Sequence, residues 1–220
     1  MAVSPKPPDA RPPAVLPAFY PILDVDVAAA RALDPIVVLD GWLAAGVRLF
    51  QLRAKVLSGA ALLHLADRCA RLATEAGATF IVNDRADIAR LAGAAGVHLG
   101  QDDLPAEAVR RILPSPALIG WSTHTDGQLR ASASMPIDYV AIGPVFGTRS
   151  KERPDPVVGL EGVRRAVTLA AGRPVVAIGG ITLETAPEVL QAGASSIAVI
   201  ADVLQPDAAT RARAFLAVTR

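Results

Sequence analysis

The chain has 220 residues, 52% of them hydrophobic and 20% charged, with a formal net charge of +1. That length and balance suit one domain with a large core, and the scattered Lys and Arg leave no basic face that would argue for nucleic acid. A single cysteine, Cys69, excludes a disulfide framework within the chain and points to a reducing cytoplasm.

No apolar run approaches the roughly 18 residues that a membrane span needs, so no membrane partner is expected. The opening "MAVSPKPPDARPPAVLP" is broken by proline and lacks the apolar centre of a secretory signal. Residues 1–17 therefore read as a flexible, polyproline-like lead that is dispensable, and residues 18–220 as one domain. From residue 18 short runs rich in Val and Ile alternate with longer Ala/Leu/Arg runs. The apolar runs are "AFYPIL", "VRLFQL", "TFIV", "GVHL", "ALIGW", "DYVAIG", "PVVAIGG" and "SIAVIA". Helical spacing is expected over 35–45, 60–75, 85–92, 106–113, 128–134, 160–171, 183–192 and 207–218.

In 60–75, Leu62, Leu65, Ala66, Cys69 and Leu72 recur at steps of three and four, which is one helical face. The strand runs are almost continuously apolar, as parallel strands covered on both faces must be. Eight such units predict an α/β fold, a single (β/α)8 TIM barrel, shorter than the usual ~250 residues. A doubly wound sheet would place a glycine-rich phosphate loop after its first strand, and "LDVDV" has no glycine there.

In a barrel the C-terminal strand ends meet on one face, where the chemistry sits. Gln51, Arg53 and Lys55 alternate along one extended segment, either as solvated charges or as an anion site with a guanidinium fork and a point charge. Asp84 and Asp103 end neighbouring strands. Taken singly, each serves equally well to cap the following helix. Together with the two cations they favour a divalent ion such as Mg²⁺ bound to a polyphosphate, and the absence of Cys/His clusters with zinc spacing agrees.

"GPVFGTRSKE" opens a long glycine-rich loop that offers Thr148, Ser150 and Lys151. "AIGGI" followed by "IAVIAD" suits a phosphate monoester held by backbone amides at the last two strands. Two anion sites on one mouth suggest two phosphorylated small-molecule substrates. His98 reads as a satisfied histidine of the barrel interior. His124 has no carboxylate assigned to orient it, so a Ser–His nucleophile with Ser122 is disfavoured.

"QLRAK", "VNDRADIA", "GVHLGQDDLP", "GWSTHT", "DYVAIGPVFGTRSK", "VVAIGGI" and "AGASSIAVI" occur in the order and spacing of the thiamine-phosphate synthases, which the chain resembles over residues 18–203. The resemblance implies a transferase that joins hydroxymethylpyrimidine diphosphate to thiazole phosphate, giving thiamine phosphate and pyrophosphate. It implies that Gln51, Arg53 and Lys55 bind the pyrimidine diphosphate, that Asn83 recognises the pyrimidine, and that Asp84 and Asp103 hold Mg²⁺. Ser122 and Lys151 would contact the diphosphate. Thr148 and Ser150, with Gly180 and the amides near Ile200 and Ala201, would take the thiazole phosphate. Three positions depart from the family pattern. Ala54 replaces an acidic or bulky residue, Ser150 a threonine, and Ala201 a serine beside the thiazole phosphate. The last loses one side-chain donor, about 1 kcal/mol. The alternatives are a thiazole tautomerase-like barrel, against which the joint presence of Arg53, Lys55, Asp84, Asp103 and Lys151 argues, and a non-catalytic phosphate-ligand sensor on the same fold.

Overall fold

The computed structural model describes residues 14–147 and 155–220. Residues 1–13, and Thr148, Ser150 and Lys151 of the long loop, lie outside the described residues. In chain order the elements begin β1 (Phe19–Asp24), α1 (Val25–Ala30), α2 (Pro35–Ala45), β2 (Leu49–Arg53), α3 (Gly59–Ala76), β3 (Thr79–Asn83), α4 (Ala86–Leu91) and β4 (Gly96–Leu99). They continue with α5 (Ala106–Ile112), β5 (Leu118–Thr123), α6 (Asp126–Ser132), β6 (Tyr139–Ile142), α7 (Gly159–Leu169), β7 (Val175–Ile178), α8 (Ala186–Gln191), β8 (Ser196–Val199) and α9 (Ala208–Val218). The strands pair in parallel and close, β8 on β1, into the expected eight-stranded barrel.

Continuous apolar strands arise because both faces are covered. One set of side chains, including Leu23, Phe50, Leu52, Val82 and Val97, packs outward against the helices, where Trp42 and Cys69 are buried. The alternate set, including Tyr20, Ile22, Leu49, Ile81, Tyr139 and Val176, fills the bore. Burial pushes the Cys69 thiol up to about 12, so it behaves as a small hydrophobe. Leu16 already packs against the bore cluster, so the barrel's contacts reach into the expected lead. Among the described residues no helix is long and apolar enough to cross a membrane.

One element was not expected. Helix α1 begins within "LDVDV", and its early amides, Asp26 N–H and Val27 N–H, donate to the Asp24 carboxylate at 3.1 and 3.0 Å. The capping alternative for Asp84 and Asp103 does not hold. The N-cap residues of α4 and α5 are Arg85 and Pro105, and neither makes a side-chain cap, which leaves both carboxylates at the barrel mouth.

Candidate active site

Strand β1 ends in Asp24, which is fully buried and paired with the Arg53 guanidinium at the end of β2. Two residues on, the Lys55 amide donates to Asp26 at 3.0 Å and its ammonium lies 2.5 Å from the Asp84 carboxylate. Asp84 follows β3 in the left-handed region, φ 63°, a conformation Asp tolerates better than most residues. Asp103 turns back to accept from Gly100 N–H at 2.7 Å. Its carboxyl is raised above the usual carboxylate range, first by partial burial and further by the adjacent Asp84 carboxylate.

This connected cluster therefore sets two cations against four carboxylates. A diphosphate approaching it meets excess negative charge. Asp84 and Asp103 supply hard oxygen donors from neighbouring strands, a set that fits a divalent cation completed by phosphate and water. Among the described residues no group of three or more His, Cys, Asp or Glu side chains could hold a metal ion.

Beside the cluster a single cavity opens into the bore. Its lining runs from Arg53, Gln51 and Asn83 on one side, past Ser122, to Gly180, Ile200 and Ala201 on the other. The far side is built from the ends of β7 and β8. Gly180 takes φ 67°, and a Cβ there would lie 2.5 Å from the Gly147 carbonyl oxygen. Only glycine lets the start of the long loop lie against β7, where Phe146 N–H donates to Gly179 C=O at 2.9 Å. Asp202 accepts from Leu183 N–H at 2.8 Å and is gripped by Arg211 at 2.7 Å, which ties the two strand ends together. Arg31 donates to the carbonyls of Ala201 and Leu204, both at 2.6 Å.

The thiamine monophosphate synthase family model matches residues 20–203. The chain belongs to this family. It is 43% identical to the thiamine-phosphate synthase of Koribacter versatilis, over 92% of this chain and 96% of that protein. It is 42% identical to a putative thiamine-phosphate synthase of Geobacter sulfurreducens, over 91% of this chain and 93% of that one. The thiamine phosphate pyrophosphorylase structure from Pyrococcus furiosus superimposes with a TM-score of 0.82 at 30% identity, covering 92% of this chain and 95% of that one.

Gln51, Arg53, Asn83, Ser122, Gly180, Ile200 and Ala201 thus line one cavity in this thiamine monophosphate synthase family member, with Lys55, Asp84 and Asp103 beside it. Both cations of the expected anion site also hold a carboxylate, Arg53 that of Asp24 and Lys55 that of Asp84. One expectation needs correction. His124 does have a carboxylate nearby. Its Nδ1 lies 2.6 Å from Gly143 C=O and 3.5 Å from Asp155, while Ser122 pairs with His98 at 2.9 Å. Sequence reasoning also missed Asp24, although an Asp before an Ala-rich run is a helix-start signal. It missed Tyr20 and Tyr139 too, since nothing local marks a phenol that points into the bore.

Proposed function

We propose that this barrel catalyses the condensation of 4-amino-2-methyl-5-(diphosphooxymethyl)pyrimidine with 4-methyl-5-(2-phosphooxyethyl)thiazole, releasing pyrophosphate and giving thiamine phosphate. What supports this reading is the cavity that runs from Arg53 and Asn83, with the Lys55–Asp84–Asp103 group beside them, to the Gly180/Ile200–Ala201 end, one region for a diphosphate and one for a phosphate monoester. Both substrates reach a common space, and holding them there removes most of the entropic cost of their meeting.

Asp84 and Asp103 would hold Mg²⁺, which when bound supplies the positive charge that the acid-rich cluster lacks toward a diphosphate. Gln51, Arg53 and Lys55 bind the pyrimidine diphosphate and Asn83 its ring, while Ser122 donates to a diphosphate oxygen. The bond between the methylene carbon and the diphosphate oxygen breaks, its electron pair leaving with the diphosphate. The electron-rich aminopyrimidine stabilises the resulting cation, and the thiazole nitrogen lone pair forms the new C–N bond. No nucleophilic side chain is required. Lys151, with Thr148 and Ser150 toward the thiazole phosphate, would complete the site from the long loop. A reducing, cytoplasmic setting fits the unpaired Cys69 thiol.

The test is pyrophosphate release with both substrates, with metal removed by chelation and then restored. Activity that needs both substrates and returns with Mg²⁺ is expected. Release without the thiazole phosphate, or undiminished by chelation, would overturn the assignment. A pyrimidine made electron-poor by fluorination should slow the chemical step severely, and an unchanged rate would reject the dissociative path.

A further inference from the structure

A hydrogen-bonded chain of side chains crosses the bore beneath the cavity. Ser122 Oγ on β5 lies 2.9 Å from His98 Nε2 on β4, and His98 Nδ1 lies 3.1 Å from the Tyr139 hydroxyl on β6. The Tyr139 hydroxyl is 3.1 Å from that of Tyr20 on β1, which accepts from Gln51 Nε2 on β2 at 3.0 Å. Its two ends, Ser122 and Gln51, line the cavity, as do His98 and Tyr20 between them. Tyr20 and Tyr139 are each 1% exposed, and burial pushes Tyr20 to about 12 and Tyr139 well above its ordinary value, so both phenols stay neutral.

The geometry is built for this contact. His98 and Tyr139 stand on strands separated by β5, and each registers with Gly120 between them. A Cβ on Gly120 would lie 2.1 Å from Tyr139 Cζ and 2.5 Å from His98 Nδ1, so the two side chains meet over a bare backbone.

Each phenol has one proton to give, and an imidazole that donates from one ring nitrogen accepts at the other, so the chain as a whole has a direction. With Gln51 donating to Tyr20, the Tyr20 proton goes to Tyr139, the Tyr139 proton to His98 Nδ1, and the His98 proton, on Nε2, to Ser122. The Ser122 proton is then left for the substrate, and Gln51 offers its carbonyl oxygen. If the Gln51 amide turned over, every bond would reverse. Ser122 would then spend its proton on His98 and present only lone pairs to an anion. A diphosphate rejects that arrangement.

We propose that Tyr20, Tyr139 and His98 act as positioning residues that lock Ser122 as a donor and Gln51 as an acceptor toward the bound substrate. The two ends of the pyrimidine diphosphate are thereby read together, an anion at Ser122 and a hydrogen-bond donor, the exocyclic amine, at Gln51. This rests on the pyrimidine diphosphate reading of the site. The otherwise identical diphosphate with a carbonyl in place of that amine meets oxygen against oxygen and is excluded.

Nitrogen-15 NMR of the full chain labelled at histidine, with His98 assigned through His98→Gln, tests the direction without any substrate. Protonated Nε2 with bare Nδ1 is expected, and protonated Nδ1 overturns the proposal. Tyr139→Phe should release this preference to a mixture of tautomers. It also frees the Tyr20 proton to pull the Gln51 amide over, so the preference for amine over carbonyl, read as KM against the inhibition constant of the oxo analogue, should fall about tenfold or more. Tyr20→Phe, the second variant should the first fail to fold, should lower that preference but keep the His98 tautomer. A preference untouched in both variants overturns the coupling. A wild-type chain that makes no thiamine phosphate would instead remove the functional reading, with the tautomer result still deciding the chain's direction.

Discussion

The Asp24 carboxylate does two jobs at the end of β1: it holds the Arg53 guanidinium and it caps the first turn of α1. Arg53 therefore reaches the cavity on a fixed tether. Removing the carboxylate leaves a cation that is only 18% exposed without its partner.

Asp24→Asn should lower unfolding stability by about 3 kcal/mol, the usual cost of leaving one member of a buried pair alone. Urea denaturation reads this. KM for the pyrimidine diphosphate should rise in parallel as the guanidinium loses its fixed position, and a variant equal to wild type in both would remove Asp24 from the site.

Asp103→Asn should separate function from stability. Turnover should fall severely, because a proposed metal-ligating oxygen is replaced by a neutral amide. The metal-free fold should be as stable at neutral pH or more so. The folded state raises this carboxyl's proton affinity, so its ionisation opposes folding as pH climbs from the unfolded value through the folded one. A clear loss of melting temperature in the metal-free variant would contradict the crowding of Asp84 and Asp103.

Only two tyrosines occur in the chain, and both are in the bore. Burial pushes Tyr20 up to about 12 in the folded protein, and Tyr139 well above the ordinary value of 10. The neutral phenol is favoured by folding, so this contribution is complete below pH 10 and is lost as pH rises through the folded values. Phenolate absorbance should therefore stay flat past pH 10 and appear with alkaline unfolding. An ordinary titration in a folded chain would mean that the phenols reach solvent.

Gly180→Ala places a methyl 2.5 Å from the Gly147 carbonyl oxygen at φ 67°. The start of the long loop must shift, and KM for the thiazole phosphate should rise about tenfold with a smaller change for the pyrimidine diphosphate. Steady-state kinetics with each substrate varied in turn separates the two.

The barrel was legible because its signals are local. Apolar runs without alternation, helical stripes such as Leu62–Ala66–Cys69, and the regular recurrence of strand and helix all follow from covering both faces of a parallel sheet. The strand-end rule then gathers Gln51, Arg53, Asn83, Asp84, Asp103 and Ser122 on one mouth without coordinates. α1 was missed because six residues with a single cap carry little periodicity.

What the sequence determined alone was the order of the units, the two-sided strands and the identity of the polar groups at their ends. Which of those groups touch depends on barrel closure. It sets Asp24 on Arg53 and Lys55 on Asp84, and brings Tyr20 across the bore to Tyr139, 119 positions away in the chain. Spacing along a strand says which way a side chain points. Its partner, and therefore its charge and proton, is set only when distant strands are brought within hydrogen-bonding distance.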